Sequence, residues 1–255
     1  MARGATDGWI VRPRPNPGAA LRLFCFPYAG AGAPIFRDWP AGLPETVEVC
    51  AVQLPGRGSR VRETPFTEVA PLLSALSDSL ERDLEGPFAL FGHSLGALLA
   101  FELARELRRE FLPQPVRLFV SGCGAPQEPY LYPPIHTLPE AKFLAELQRW
   151  GGTPLEVLAH QELMQLLLPA LRADFALRET YAYADEPPLD CPISAFGGLD
   201  DRWVSRESLD AWRAQTYAAF SLQLLPGDHF FLASSRPRLL AAIAETLAAH
   251  LAAAG

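Results

Sequence analysis

The sequence contains no hydrophobic run long enough to cross a membrane. A membrane-spanning helix needs roughly 18 or more consecutive apolar residues. No stretch approaches that length, although hydrophobic residues make up 49% of the 255-residue chain. Residues 1–20 are rich in proline and glycine and lack the apolar centre of a secretory signal. We therefore expect a cytoplasmic protein that does not bind membranes.

Paired cysteines are also missing. The four cysteines lie far apart, with no C-x-x-C pair and no histidine at metal-ligand spacing; they are Cys25, Cys50, Cys123 and Cys191. We expect them to be reduced, mostly buried and not metal ligands. Neither a metal nor an organic cofactor is predicted.

Positive charge is in short supply. The chain has 22 lysines and arginines against 29 aspartates and glutamates, which gives a formal net charge of −7 at pH 7. Nucleic-acid binding needs a basic face that neutralises phosphates, so nucleic acid is not an expected partner. One local basic cluster is present, at Arg57, Arg60 and Arg62.

The chain does contain a regular alternation of predicted strands and helices. Apolar runs typical of buried strands occupy residues 21–26, 47–53, 88–91, 116–120, 193–196 and 221–225. Segments between them repeat apolar residues at helical spacing. This alternation predicts an α/β fold with a mostly parallel sheet and helices on both faces. The length suits a single domain over residues 1–255, although two small domains would also fit it.

The alternation stops between about residues 125 and 188, where only helical patterns occur. The segment Thr137-Leu138-Pro139-Glu140 has the form of a capping box that opens a helix through Trp150. A helical insertion downstream of a nucleophile predicts a lid over the site. A packing extension on a sheet edge is the alternative.

The strongest motif is Gly92-His93-Ser94-Leu95-Gly96, which joins the strand at 88–91 to an amphipathic helix. A strand–turn–helix of the form G-x-S-x-G places its serine on a strained turn at the carboxyl edge of a sheet. The positive end of the helix dipole then points at any oxyanion that forms beside Ser94. The motif therefore indicates acyl transfer.

A serine hydroxyl needs a base, and that base needs an acidic partner. The order serine, acid, histidine is typical of α/β-hydrolases, and it is met by Ser94, then Asp200 or Asp201, then His229. Each follows a predicted strand, so all of them should lie at one sheet edge. The other four histidines fit less well because they adjoin the nucleophile or lie in the insertion or the closing helix.

A loop of small residues, Pro27 to Gly32, follows the first of these strands. Backbone N–H groups in such a glycine-rich loop can point at a bound atom. It is a candidate oxyanion loop, and an ordinary glycine turn is the alternative.

Five segments together resemble the type II thioesterases of polyketide and non-ribosomal peptide biosynthesis. They are Phe26-Pro27-Tyr28-Ala29-Gly30, Gln53-Leu54-Pro55-Gly56-Arg57 with Arg60, Gly92-His93-Ser94-Leu95-Gly96, Gly198-x-x-Asp201-x-x-Val204 and Gly227-Asp228-His229-Phe230-Phe231. Many hydrolases share G-x-S-x-G, whereas the combination is specific. The resemblance extends from about Leu21 to the closing helix, and it implies an α/β-hydrolase fold with a helical lid.

The resemblance also implies a function. Such an enzyme is a serine thioesterase of antibiotic biosynthesis that hydrolyses aberrant or stalled acyl groups from the phosphopantetheine arm of acyl or peptidyl carrier proteins. By the same resemblance Ala29 and Leu95 supply the oxyanion-hole N–H groups. Separately, we expect the protein to act as a monomer. A carrier-linked acyltransferase or cyclase and a general carboxylesterase would use the same triad, and both remain alternatives.

The resemblance favours Asp201 as the acid, because Asp201 occupies the acidic position of G-x-x-D-x-x-V. The sequence departs from the family at this point, where Asp201 is preceded by Asp200 and followed by Arg202 and Trp203. Asp200 therefore stays open as the alternative acid.

Carrier proteins are usually acidic, so the basic cluster at Arg57, Arg60 and Arg62 is a candidate docking patch. The alternative is that these arginines are solvated loop residues, or that one of them is a buried structural residue.

Overall fold

The apolar runs of the sequence form a seven-stranded sheet. In the computed structural model, which describes residues 8–254, the strands are β1 (Ile10–Val11), β2 (Leu21–Phe26), β3 (Val47–Val52), β4 (Phe88–His93), β5 (Arg117–Ser121), β6 (Ile193–Gly198) and β7 (Phe220–Leu225). Residues 1–7, the first part of the proline-rich leader, and Gly255 lie outside the described residues. The strand order is β1-β3-β2-β4-β5-β6-β7, and every neighbouring pair except β1 with β3 is parallel. The mostly parallel sheet is therefore confirmed.

Helices cover both faces of this sheet. The α-helices are α1 (Val69–Leu80), α2 (Leu95–Arg109), α3 (Glu140–Trp150), α4 (Leu155–Leu158), α5 (Gln161–Glu179), α6 (Arg206–Asp210), α7 (Phe231–Ser234) and α8 (Arg236–Ala254). None of the helices within residues 8–254 combines the length and the apolar character that a membrane crossing requires.

The central strand β2 shows how the two layers are built. Phe24 and Phe26 pack in the layer that contains α1 and α2, whereas Leu23 and Cys25 pack in the layer that contains α8. Successive side chains of a strand point to opposite faces. Because both faces are covered, the strand is continuously apolar rather than alternating.

The cysteines lie in this interior. All four are buried, and no disulfide joins them. Burial raises the pKa of the Cys50 thiol to about 12. A buried thiol with a raised pKa is unreactive, in agreement with the expectation of reduced, buried side chains.

The helical insertion lies between β5 and β6. It contains α3, α4 and α5, whose apolar side chains form their own cluster around Phe143, Leu147 and Met164. The predicted capping box at Thr137 is wrong, because α3 begins at Glu140 and has Pro139 as its N-cap without a side-chain hydrogen bond. The residue before a proline disfavours helical backbone, so the helix cannot extend back to Thr137.

Candidate active site

Ser94 occupies the turn between β4 and α2 at the carboxyl edge of the sheet. Its φ of 54° and ψ of −120° are rare for a residue with a side chain. Its N–H donates to the Ser121 carbonyl at 2.7 Å. A Cβ at Gly92 would lie 2.0 Å from the Gly96 carbonyl oxygen, and one at Gly96 would lie 2.2 Å from the Phe26 carbonyl oxygen. Both glycines are therefore required by the close approach of β2 and α2 to the turn.

His229 and Asp201 continue from Ser94 in one hydrogen-bonded chain. His229 follows β7, and its Nε2 lies 3.1 Å from Ser94 Oγ. Its Nδ1 lies 2.8 Å from Oδ2 of Asp201, which follows β6. A carboxylate can only accept, so Nδ1 carries the proton and Nε2 is free to accept the Ser94 hydroxyl hydrogen. The structure thus brings together the three side chains of the predicted triad.

The second oxygen of Asp201 fixes the orientation of the carboxylate. Oδ1 accepts hydrogen bonds from the N–H groups of Trp203 at 2.8 Å and Val204 at 3.2 Å. The Asp201 side chain is 1% exposed. Asp200 is exposed and contributes its backbone N–H to the Gly227 carbonyl. The geometry therefore favours Asp201 over Asp200 as the partner of the histidine.

Ala29 and Leu95 lie beside Ser94 on the wall of the same cavity. Leu95 is the first residue of α2, where unpaired N–H groups and the helix dipole favour negative charge. Neither the Ala29 N–H nor the Leu95 N–H donates to an acceptor among residues 8–254. Both groups therefore stay candidates for an oxyanion hole.

His93 is fully buried beside Ser94 and His229. Its Nδ1 lies 2.9 Å from Ser121 Oγ, and its ring centre lies 5.3 Å from that of His229. Burial, with a smaller contribution from the charge of His229, holds the pKa of His93 well below its usual value of 6.5. His93 therefore stays neutral, and any positive charge that forms here belongs to His229.

The cavity beside Ser94 has a volume of about 610 Å³ and a wall rich in aromatic side chains. Trp150, at the end of α3, stacks on Trp203 with ring centres 4.2 Å apart. Tyr132 packs edge-on against both tryptophans, and Phe175 of α5 also lines the cavity. The insertion thus forms one side of the cavity, which is the position predicted for a lid. In the described part of the chain, no three His, Cys, Asp or Glu side chains are grouped so as to hold a metal ion.

The basic cluster is not an exposed docking patch, so that prediction is wrong for two of its three arginines. Arg57 is buried, where it forms a two-pronged ion pair with Asp174 of α5 at 2.5 and 2.6 Å. Arg60 is also buried; it pairs with Glu63, and its guanidinium lies 3.9 Å from the centre of the Trp9 ring. Because the paired carboxylate neutralises each buried charge, neither arginine is available to a partner protein.

Sequence reasoning missed Asp174 and the role of Gln53. Gln53 accepts from the Ala33 N–H and donates to the Arg57 carbonyl, each at 3.0 Å, and so ties the candidate oxyanion loop to the segment after β3. The only sequence signal for this contact was that the F-P-x-A-G and L-P-G-R segments occur together in the chain. Asp174 stands 117 residues from Arg57 in a helix without a distinctive motif, so no pattern pointed to it.

Comparison with known proteins identifies relatives across nearly the whole chain. The family model described as a thioesterase domain matches residues 21–251. The gramicidin S biosynthesis protein GrsT of Aneurinibacillus migulanus is 45% identical over 244 residues, which span 96% of this chain and 95% of the relative.

Solved structures agree with that result. RedJ, a thioesterase from the prodiginine biosynthetic pathway in Streptomyces coelicolor, aligns with a TM-score of 0.83 and 43% identity over 89% of this chain and 85% of its own. The type II thioesterase BorB from the borrelidin biosynthetic cluster aligns with a TM-score of 0.86 and 38% identity over 95% of this chain and 99% of its own.

Proposed function

Because the chain belongs to the thioesterase family, we propose that it is a type II editing thioesterase, which releases aberrant or stalled acyl groups from the phosphopantetheine thiol of carrier proteins as free acids. The observation that carries this proposal is the chain of hydrogen bonds from Ser94 through His229 to Asp201, beside a cavity large enough for an organic acyl group.

The first half of the reaction forms an acyl-enzyme. His229 Nε2 takes the hydroxyl proton as Ser94 Oγ attacks the thioester carbonyl carbon. The N–H groups of Ala29 and Leu95 stabilise the negative charge on the former carbonyl oxygen. The tetrahedral intermediate then collapses, the carbon–sulfur bond breaks, and the pantetheine sulfur leaves with the proton that His229 held. Asp201 keeps the imidazole in the correct tautomer and stabilises its charged form.

The second half releases the acid. A water molecule loses a proton to His229 and attacks the ester carbonyl carbon, with the same two N–H groups opposite the new oxyanion. The bond to Ser94 Oγ breaks, and the serine recovers its proton from His229. The neutral His93 behind the site adds no competing positive charge. All of these groups come from one chain, so a single copy suffices for the chemistry.

Carrier proteins must approach a protein of net charge −7, so docking requires a local basic or apolar patch. Arg202, which is exposed and lines the cavity, can supply the basic charge of such a patch. Arg149 lies nearby, 67% exposed and with its guanidinium 5.6 Å from the Trp203 ring centre, but it already pairs with Glu146 at 3.5 Å. Charges of the carrier and of its phosphodiester would be attracted here over a short range, because salt screens exposed charges beyond roughly 8 Å.

Docking is tested by reversing charge at the cavity mouth. Arg202→Glu should slow hydrolysis of acylated carrier proteins and leave small pantetheine thioesters unaffected. Arg62→Glu is the matched control, since Arg62 is also exposed but does not line the cavity. Equal effects of Arg202→Glu on carrier-bound and small substrates would contradict a docking role.

The proposed activity itself is tested with a carrier protein loaded with a panel of acyl groups. Mass spectrometry of the products should show the free acid and the regenerated thiol, and Ser94→Ala should abolish both. Esters, amides or cyclic products in the presence of alcohols or amines would indicate an acyltransferase or cyclase instead. Much faster cleavage of simple oxygen esters than of carrier thioesters would indicate a general carboxylesterase.

A further inference from the structure

Asp174 connects the insertion to the candidate oxyanion loop. This residue lies on α5, and its side chain is 1% exposed. Oδ2 accepts from the Gly30 N–H at 2.6 Å and from Arg57 Nη1 at 2.5 Å, while Oδ1 accepts from Arg57 Nη2 at 2.6 Å. Gly30 directly follows Ala29, so Asp174 is one peptide away from a proposed oxyanion donor.

Arg57 holds the same loop from a second direction. Its Nη1 also donates to the Ala31 carbonyl at 3.0 Å. The guanidinium thus bridges a carboxylate on α5 and a carbonyl on the loop, in a position that its rigid, planar fork suits. Gly30 and Ala31 are therefore both fixed by the ion pair.

The geometry of the loop explains why this support matters. The Ala31 N–H donates to the Tyr28 carbonyl at 3.0 Å, which closes a turn with Ala29 and Gly30 at its centre. Gly30 has the positive φ, 80°, that a type II turn requires at its third residue. A type I turn spans the same four residues with its central peptide reversed, and that peptide contains the Gly30 N–H. Asp174 accepts from this N–H and so selects one of the two orientations.

We infer that Asp174, held in place by Arg57, is a positioning residue: it fixes the Ala29–Gly30 peptide and so holds Ala29, with its N–H, in place beside Ser94. The inference rests on the proposed function, because an oxyanion forms beside this loop only if the enzyme carries out acyl transfer. A buried ion pair is seldom kept for stability alone, since desolvation offsets most of its attraction. Two apolar side chains in place of Arg57 and Asp174 could pack α5 against the loop equally well, but they would offer no oxygen to accept the hydrogen bond from the Gly30 N–H.

Two double variants separate the hydrogen bond from the ion pair. Arg57→Met with Asp174→Asn removes both charges and keeps an amide oxygen for the Gly30 N–H. Arg57→Met with Asp174→Leu removes both charges and the acceptor. Neither variant leaves a buried unpaired charge, which is the usual reason that single substitutions in such pairs unfold a protein. Thermal unfolding checks that both are folded.

A matched control is available at Glu102. This carboxylate is also buried; it accepts from Arg105 at 2.7 Å and from the hydroxyl of Tyr181, just after α5, at 2.6 Å. It ties the end of the insertion to α2 without a hydrogen bond to the oxyanion loop. Glu102→Gln with Arg105→Met therefore reports what the loss of a buried ion pair does to stability alone.

The readout is the ratio of two affinities, one for an acyl trifluoromethyl ketone and one for the matching carboxylic acid. Ser94 Oγ adds to the carbonyl carbon of the ketone, and the resulting oxyanion occupies the proposed oxyanion hole. Loss of an oxyanion donor costs about 10²- to 10³-fold. Misdirecting one of two donors should cost less, about 10- to 100-fold in ketone affinity and in kcat, with KM and acid affinity unchanged. This loss is expected for the variant with leucine, and the variant with asparagine should recover most of it.

Equal ketone affinities in the two double variants would overturn the inference. If neither variant folds, amide hydrogen exchange of the wild-type protein decides the matter. The Gly30 N–H should then be strongly protected, and exchange as fast as that of an exposed loop glycine would overturn the inference. The proposed function fails separately, if wild-type protein hydrolyses no carrier-bound thioester.

Discussion

Replacing Asp201 by asparagine tests the assignment of the acid and the logic of the hydrogen-bonded chain together. The structure determines how the new amide would sit. The position of Oδ1 receives two backbone N–H groups, from Trp203 and Val204, so the amide oxygen must occupy it. The amide NH₂ then takes the place of Oδ2, 2.8 Å from Nδ1 of His229.

This orientation reverses the tautomer of the imidazole. An NH₂ group can only donate, so Nδ1 must become the acceptor and the proton must move to Nε2. Nε2 then faces Ser94 with a hydrogen of its own and cannot take the hydroxyl proton. The same change in a serine protease triad lowers kcat about 10⁴-fold. That factor corresponds to about 5 kcal/mol in the activation free energy.

The assay is hydrolysis of an acyl-pantetheine thioester, followed by release of the free thiol. Asp201→Asn should fold normally, because both side chains have similar shape and the two backbone hydrogen bonds are kept. Asp200→Asn is the control, and since Asp200 is exposed it should keep nearly full activity. If Asp201→Asn retained activity within about tenfold of wild type, the assigned chain from acid to serine would be refuted. The reverse order of the two variants would move the acid to Asp200.

Three further predictions follow from the site. Ser94→Ala should fold like the wild type and lower kcat about 10⁶-fold, and activity within tenfold of wild type would remove Ser94 from the mechanism. The pKa of buried His93 lies well below 6.5. Below pH 6.5 its imidazole is therefore protonated in the unfolded chain but neutral in the folded protein, so the free energy of unfolding should fall as the pH decreases. His93→Gln should reduce that slope by up to about 1.4 kcal/mol per pH unit, as measured by denaturant unfolding between pH 5 and 7. Trp203→Ala should open the cavity where Trp203 stacks on Trp150, and it should change kcat/KM for long acyl groups more than for acetyl; a uniform change would contradict a role in acyl selection.

The sequence predicted most of the sheet because buried parallel strands produce continuous apolar runs. The exception is β1, where two residues pair antiparallel with β3. Two residues are too few to show a period of 2, and the flanking prolines resemble an extended leader. The helical segment between β6 and β7 is also irregular, since α6 ends at Asp210 and a 3₁₀ turn extends to Gln215.

The parts of the site that were predictable share one property, a dense local motif. Ser94 and His229 stand in glycine-marked turns directly after strands, and steric requirements fix their neighbours. The buried state of Arg57 was not predictable, because an arginine in a loop is usually solvated. Its environment depends on Asp174, which folding brings from 117 residues away. Pairings of this kind leave no periodic signal in a single sequence.

The insertion contacts both the candidate oxyanion loop and the loop that carries Asp201, so it would do more than cover the cavity. Through α5, Asp174 holds the loop that carries Ala29. Through α3, Trp150 stacks on Trp203, whose N–H donates to the Asp201 carboxylate. A helical cover that only selected acyl groups would need neither contact. If the insertion moves to admit a substrate, we expect both the candidate oxyanion loop and the Asp201 loop to be disturbed, so that a closed insertion and an ordered site occur together. On this reasoning hydrolysis is favoured only when the bound acyl group lets the insertion pack back against both loops.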